Sequence, residues 1–203
     1  MKKFYIFDFD GTLVNTFYDS VLAYNKALKH HGLTEYQYDS LEKIDFTDFI
    51  NNMTEDMEVL ETYSKIYENS PKKLTKPYTG ITNVLKKLKQ EDKELAICSN
   101  RKEQQLIEYT EKLFPEIEFK HILGYTPGGP FKPDPALINQ ILEKENYQKE
   151  EILYVGDKTT DIQTAENVDI DVVIVKWGQG NEEAYTNKYS LGVICKPEEL
   201  LNY

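Results

Sequence analysis

Two aspartates separated by a single residue follow a short apolar run near the start of the chain. The run spans residues 4–7, Asp8 and Asp10 come directly after it, and Gly11 follows. Because a carboxylate beside a buried strand costs free energy unless a cation or a reaction partner meets it, this pair indicates chemistry rather than packing. Glycine at position 11 permits the sharp turn or the close approach to a ligand that such a site needs. The chemistry that suits two neighbouring acids is metal binding, nucleophilic attack or proton transfer.

Polar side chains also follow later apolar runs, namely Ser99, Lys132, Asp157 and Asp161. If these runs are strands of one parallel sheet, their carboxyl ends meet at one edge, where open α/β sheets bind ligands. Carboxylate oxygens suit Mg²⁺, whereas an ammonium, a hydroxyl and the N–H groups of a helix start suit phosphoryl oxygens. The residues therefore predict a site for Mg²⁺ and a phosphoryl group together, with Asp8, Asp157 and Asp161 as candidate metal ligands.

The elements that must position these residues alternate between short apolar runs and amphipathic segments. Beyond residue 77, helices are predicted to alternate with buried strands at 95–98, 119–123, 152–155 and 172–175, followed by a weaker strand at 193–195. Strands that alternate with helices are typical of a parallel sheet covered on both faces. The predicted fold class is α/β, with a Rossmann-like three-layer parallel-sheet core.

Residues 15–76 differ from the rest, because they contain no convincing strand and carry apolar residues at helical spacing. Helices within this stretch are predicted to begin at Asp39 and Thr54. The sequence thus predicts two domains, an α/β core made of residues 1–14 and 77–203 and a small all-helical cap domain made of residues 15–76.

Composition and net charge limit the classes of partner that the protein is expected to bind. The formal net charge is −11, and Arg101 is the only arginine among 203 residues. Nucleic acids and anionic membranes bind basic surfaces, so neither is expected, and no protein partner is predicted. No apolar run approaches the roughly 18 residues of a membrane span. Cys98 and Cys195 lie in short apolar runs and are expected to be buried free thiols in a cytoplasmic protein.

In its motifs the chain resembles the haloacid dehalogenase superfamily of phosphotransferases. The stretch DFDGT at 8–12, Ser99, Lys132 and the stretch GDKTTD at 156–161 match the four motifs of that superfamily in order. In having a helical insertion after the first motif, the chain resembles the phosphoglycolate-phosphatase-like branch of that superfamily. The resemblance covers essentially the whole chain, although only weakly in the cap.

The resemblance implies roles for the acidic residues. Asp8 is expected to be the nucleophile and a metal ligand. Asp10 is expected to be the general acid and then the general base, with its main-chain carbonyl also on the metal. Asp157 is expected to complete the Mg²⁺ site, with Asp161 as a further ligand or a supporting partner.

The resemblance also implies a set of phosphate-binding residues. Ser99 and Lys132 are expected to hold the phosphoryl oxygens, and Lys132 is also expected to steady Asp8. The remaining phosphate-binding candidates are Gly11, Thr12 and Asn100.

The function implied is that of a Mg²⁺-dependent phosphatase, which hydrolyses a small phosphorylated metabolite through an aspartyl-phosphate intermediate. Aspartate at position 10 favours phosphoester chemistry over cleavage of carbon–halogen or carbon–phosphorus bonds. One alternative is a phosphosugar mutase similar to β-phosphoglucomutase, and a second is a non-catalytic binding protein. Lys158 stands where the family commonly has a small hydroxyl residue, and it either points towards the metal site or faces solvent.

Overall fold

The computed structural model describes residues 1–203. Its strands are β1 (Phe4–Phe7), β2 (Val14–Asn15), β3 (Lys76–Pro77), β4 (Glu94–Lys102), β5 (His121–Tyr125), β6 (Ile152–Gly156), β7 (Asp171–Val175) and β8 (Gly192–Ile194). Its α-helices are α1 (Phe17–His30), α2 (Phe46–Asn51), α3 (Met57–Asn69), α4 (Ile81–Gln90), α5 (Glu103–Leu113), α6 (Ala136–Leu142), α7 (Thr159–Glu166) and α8 (Glu182–Tyr185). Short 3₁₀ helices span Leu41–Lys43, Lys149–Glu151 and Pro197–Asn202. The chain forms two compact units, one of Met1–Val14 with Pro77–Tyr203 and one of Asn15–Lys76.

Six strands form the central sheet of the larger unit, in the order β5-β4-β1-β6-β7-β8. Every neighbouring pair in this sheet is parallel. The chain adds β4 and β5 on one side of β1 and then returns to add β6, β7 and β8 on the other side. Such a reversal leaves a crevice outside the carboxyl ends of the strands beside it, here β4, β1 and β6.

Alternation along the strands divides the core into two apolar layers. On β1, Tyr5 and Phe7 belong to the layer that also contains residues of α4 and α5. Phe4 and Ile6 belong to the opposite layer, with residues of α6 and α7. Because successive side chains of a strand point to opposite faces, a strand buried on both faces needs an unbroken apolar run. The predicted α/β fold class, a Rossmann-like three-layer core, is confirmed.

The smaller unit is built around aromatic side chains. The ring of Phe49 on α2 lies edge-on to the rings of Phe17, Tyr24 and Tyr36, at centroid distances of 5.3, 5.5 and 5.2 Å. Edge-to-face aromatic pairs stabilise by about 0.5–1.5 kcal/mol beyond the area they bury. Several of the tyrosines of this acidic chain therefore serve as packing residues of the Asn15–Lys76 unit.

The helices of this unit begin at other residues than the sequence predicted. The side chain of Asp45 caps α2 by accepting a hydrogen bond of 2.8 Å from the N–H of Asp48. The side chain of Asp56 caps α3 by accepting one of 2.9 Å from the N–H of Glu58. The predicted starts at Asp39 and Thr54 were wrong.

Both cysteines are free thiols, as predicted, but only Cys98 is buried. Cys195 follows the edge strand β8 and is exposed, which corrects the expectation of two buried thiols. None of the helices combines the length and the apolar character that crossing a membrane requires.

Candidate active site

The carboxyl ends of β1 and β6 place two aspartates next to each other. Asp8 directly follows β1, and its N–H donates a 2.8 Å hydrogen bond to the carbonyl of Val155 on β6. Asp157 directly follows β6 and is fully buried. The parallel pairing of β1 with β6 thus brings together residues that are far apart in sequence.

Lys132 lies at the centre of the site and is 4% exposed. Its Nζ donates hydrogen bonds to Asp8 Oδ1 at 2.7 Å, to Asp161 Oδ1 at 2.6 Å and to the hydroxyl of Tyr154 at 3.1 Å. Burial alone lowers the pKa of a lysine, but the carboxylates of Asp161 and Asp8 outweigh it and raise the pKa of Lys132 well above its ordinary value. Lys132 is therefore a permanent buried cation shared by two acids.

A third carboxylate, that of Asp157, lies close to the two that bind Lys132. Asp8, Asp157 and Asp161 each offer one oxygen, and these oxygens all lie within 4.8 Å of one another. Asp157 Oδ2 accepts a 2.6 Å hydrogen bond from the N–H of Gln179, but Asp157 Oδ1 is buried without a hydrogen-bond partner in the protein. An unpartnered buried carboxylate oxygen is costly, and hard oxygen ligands are those that Mg²⁺ prefers. The three residues fit a divalent cation.

Asp161 has a second contact that fixes its direction. Its Oδ2 accepts hydrogen bonds from the N–H groups of Asp157 at 3.0 Å and of Lys158 at 2.9 Å, at the start of α7. A carboxylate at a helix N-terminus satisfies N–H groups that have no partner within the helix. Asp161 thus links the helix start to Lys132 and to the other two acids.

The crowding of carboxylates predicts how stability depends on pH. Burial is the largest cause that raises the pKa of Asp8, from 3.8 to about 6. Because the folded pKa lies above the unfolded one, the unfolded state loses this proton first, so the free energy of unfolding of the metal-free protein falls as pH rises through this interval. Urea denaturation across the interval measures the fall. The Asp8→Asn variant, which has no such group to titrate, should lose less stability, and an identical slope in both proteins would contradict the prediction.

Mg²⁺ is expected to stabilise the fold, because it binds acids that only the native state gathers. Ligand at about one hundred times its Kd adds roughly 2.7 kcal/mol, which for a protein of this size raises Tm by about 5–10 °C. Thermal unfolding with MgCl₂, compared with KCl at equal ionic strength, measures the shift. Asp157→Asn should abolish most of it, and an unchanged Tm in the parent protein would speak against the site.

Asp10 lies in a different environment from the three buried acids. Its side chain is 24% exposed, and it accepts hydrogen bonds from Arg101 Nε at 2.8 Å to Oδ2 and from Arg101 Nη2 at 2.6 Å to Oδ1. Sequence reasoning did not include Arg101 among the site residues. The available signal was that the only arginine of the chain stands two residues after Ser99, just beyond the predicted strand at 95–98.

The remaining predicted residues have distinct contacts. Ser99 is 2% exposed, and its Oγ accepts a 3.4 Å hydrogen bond from the N–H of Arg101. The side-chain amide of Asn100 binds the main chain of Lys132, donating to its carbonyl at 3.1 Å and accepting from its N–H at 2.6 Å. Asn100 therefore holds Lys132 in place through its side chain.

Gly11 lies against Asp157, and Thr12 follows it in the turn after β1. Gly11 has φ of +87°, and a Cβ at this position would stand 2.1 Å from Asp157 Oδ2, so only glycine fits there. The Oγ1 of Thr12 is buried without a hydrogen-bond partner in the protein, and its carbonyl accepts a 3.0 Å hydrogen bond from Trp177 Nε1. The turn after β1 is thus tightly packed around Asp157.

The side chain of Lys158, for which the sequence left two orientations open, contacts the loop that follows β7. Lys158 Nζ donates a 3.0 Å hydrogen bond to Gln179 Oε1. Gln179 in turn donates its N–H to Asp157. Lys158 is therefore connected to the acidic cluster through the loop that supports Asp157.

Comparisons with known proteins identify the family of the chain and proteins that share its fold. A family model described as haloacid dehalogenase-like hydrolase matches residues 5–175. A phosphoglycolate phosphatase from Aquifex aeolicus is 31% identical over 179 residues, which cover 85% of this chain and 84% of the relative. One from Agrobacterium fabrum is 31% identical over 189 residues, covering 85% and 80%. A solved haloacid dehalogenase-like family hydrolase from Streptococcus pneumoniae, 21% identical, shares the fold with a TM-score of 0.81 over 100% of this chain and 98% of that one.

The chain therefore belongs to the haloacid dehalogenase-like hydrolase family, as its four motifs predicted. Within that family it is a hydrolase of the phosphoglycolate-phosphatase-like branch, an enzyme of the phosphatase class.

Proposed function

We propose that the protein is a Mg²⁺-dependent phosphatase that hydrolyses a small phosphorylated metabolite through an aspartyl-phosphate formed on Asp8. The observation that carries the proposal is the buried cluster in which Lys132 Nζ bridges Asp8 and Asp161, with the unpartnered oxygen of Asp157 beside them. Buried polar atoms of a purely structural cluster are normally hydrogen-bonded, so the unpartnered Oδ1 of Asp157 favours a ligand site.

In the first half of the reaction, one carboxylate oxygen of Asp8 attacks phosphorus. Lys132 binds Asp8 Oδ1, which orients the carboxylate and leaves Oδ2 to attack. The bond between phosphorus and the leaving oxygen breaks, and Asp10 gives that oxygen a proton. The product of this half is a free alcohol and a phosphorylated Asp8.

In the second half, water attacks the phosphorus of phosphorylated Asp8. Asp10 takes a proton from this water, the bond between phosphorus and the Asp8 oxygen breaks, and inorganic phosphate leaves. Over the whole cycle Asp10 gives one proton and regains one, so the enzyme returns to its initial state.

Asp8, Asp157 and Asp161 would hold the Mg²⁺, with the main-chain carbonyl of Asp10 as a further ligand. When bound, Mg²⁺ supplies positive charge beside the phosphoryl oxygens, where charge accumulates in the transition state. Lys132 supplies a second positive charge beside Asp8, and Ser99 provides a buried hydroxyl for a phosphoryl oxygen. Gly11, Thr12 and Asn100 complete the phosphate-binding set that we propose.

A substrate screen tests the proposal. We expect release of free phosphate from at least one member of a panel of phosphorylated sugars, nucleotides and small acids, including 2-phosphoglycolate, and loss of that release when EDTA replaces Mg²⁺. Formation of an isomeric sugar phosphate without free phosphate would instead identify a phosphosugar mutase. Absence of turnover on the whole panel and on an aryl phosphate would contradict an enzymatic role.

The proposed setting is the cytoplasm, where small phosphorylated metabolites and reducing conditions occur together. Free Cys98 and Cys195 fit such a compartment. The formal charge of −11 fits a small-molecule substrate rather than a nucleic acid.

A further inference from the structure

Arg101 makes the most complete side-chain contact in the site that the reaction scheme above does not use. Its guanidinium meets Asp10 with two parallel hydrogen bonds, from Nε at 2.8 Å and from Nη2 at 2.6 Å. Two such bonds in a fork define direction as well as distance, since both carboxylate oxygens are fixed by one planar group. The orientation of the Asp10 carboxylate is therefore set by Arg101.

Arg101 is itself held from two sides. Its Nη1 donates a 3.3 Å hydrogen bond to Gln105 Oε1, one turn along α5. Its guanidinium carbon lies 5.3 Å from the centre of the Tyr109 ring, a further turn along the same helix. Residues four apart on a helix share one face, so Gln105 and Tyr109 form a continuous support for Arg101.

The exposed fractions of the Arg101 and Asp10 side chains show whether Arg101 is placed to orient Asp10 or to bind substrate. The Arg101 side chain is only 9% exposed, whereas that of Asp10 is 24% exposed. The guanidinium directs Nε and Nη2 to Asp10 and Nη1 to Gln105, so the more accessible group of the pair is the acid. Arg101 is thus placed to act on Asp10 rather than on an incoming ligand.

We propose that Arg101 is a positioning residue, which holds Asp10 at the reach and angle required for both proton transfers. The inference rests on the proposed function, because it assumes that Asp10 exchanges protons with the leaving oxygen and with water. In the first transfer Asp10, protonated on one oxygen and held by Arg101 through the other, gives its proton to the leaving oxygen as the bond from phosphorus to that oxygen breaks. In the second, Asp10 takes a proton from water as the new phosphorus–oxygen bond forms and phosphorus leaves Asp8.

The two transfers differ in how much they depend on Asp10, and this difference gives a test. The 4-nitrophenolate leaving group departs without a proton, so formation of the phosphorylated enzyme from 4-nitrophenyl phosphate needs no acid. Attack by water on phosphorylated Asp8 still needs a base. An alkyl phosphate needs Asp10 in both halves of the reaction.

The experiment uses Arg101→Met in the full chain with Mg²⁺, followed by stopped flow and steady-state turnover. We expect the first release of 4-nitrophenolate to slow by less than about 3-fold and steady-state turnover to fall by about 30-fold, so that a burst of one product per enzyme appears. Turnover of an alkyl phosphate should fall by about 100-fold or more. A merely structural role would slow the burst and the steady state equally, and that result would overturn the proposal, as would unchanged kinetics.

Two further variants keep the test decisive. Arg101→Lys retains the positive charge but not the two parallel hydrogen bonds to Asp10, so we expect the same pattern with a fall in turnover about a third as large. Arg101→Lys also replaces Arg101→Met in the test if Arg101→Met does not fold. Equal loss in both phases for Arg101→Lys would also overturn the proposal. Lys112→Met removes an exposed cation from the same helix and should leave both phases unchanged. If the parent enzyme turns over neither 4-nitrophenyl phosphate nor any member of the substrate panel, the proposed function fails, which is distinct from failure of the role of Arg101.

Discussion

Replacement of Asp8 by asparagine is expected to abolish phosphatase turnover, by a factor of about 10⁴ or more. An amide oxygen is a poor nucleophile for phosphorus. The substitution also removes one negatively charged ligand from the proposed Mg²⁺ site. The hydrogen bond from Lys132 survives in this variant, because the amide oxygen accepts from Nζ as the carboxylate does. Turnover is measured as phosphate release with the best substrate of the panel.

The fold of the Asp8→Asn variant should remain intact, which separates loss of chemistry from loss of structure. Removal of one buried charge from a cluster of three carboxylates relieves repulsion, so the metal-free variant should be at least as stable as the parent near neutral pH. Asp92→Asn is a matched control, since Asp92 is exposed and lies before the start of β4, whereas the proposed site lies at the carboxyl ends of the strands, and it should retain full turnover. Turnover close to that of the parent in the Asp8→Asn variant would remove Asp8 from the mechanism.

Replacement of Lys132 by methionine is expected to reduce both stability and turnover. Methionine fills most of the volume but leaves Asp8 and Asp161 buried without their shared cation. Loss of one partner of a buried ion pair costs about 3–5 kcal/mol, and loss of a charge that faces a transferring phosphoryl group costs about 10²–10³ in rate. Denaturation in urea and phosphate release measure the two effects.

Two comparisons test the physical reason for the lysine result. Saturating Mg²⁺ should recover part of the lost stability, because a second cation then meets the same acids. The double variant Lys132→Met with Asp8→Asn should be more stable than Lys132→Met alone, since it buries one charge fewer. A single Lys132→Met variant as stable as the parent would show that the buried ion pairs do not support the fold.

The fold class and the grouping of the acids follow from local patterns of the sequence. The apolar run before Asp8 is long enough for a strand buried on both faces, and the run before Asp157 has the same character. Once both strands belong to one parallel sheet, their carboxyl ends must meet at one edge, which is why residues almost 150 positions apart could be placed together.

Other features depend on contacts that no local pattern encodes. The bond from Arg101 to Asp10 requires the reach and the rotamer of a long side chain that leaves the end of β4. Helix starts in the Asn15–Lys76 unit were misplaced because Asp39, Asp45, Thr54 and Asp56 are all capable of capping a helix. Packing of Phe49 and Val59 into the aromatic core of that unit selects Asp45 and Asp56. Cys195 is exposed because the strand before it lies at the edge of the sheet.

The amide of Asn100 also has a consequence for protein engineering. Its two hydrogen bonds fasten the main chain at Lys132. The tip of the preceding loop, residues 126–128, is exposed and lies before this anchored position. At Gly128 no atom lies within 4 Å of where a side chain would begin, but its φ of +78° favours glycine, so an insertion beside it is preferable to its replacement. This tip is consequently a place to graft a fluorescent reporter or an affinity tag while the residues of the proposed site keep their positions.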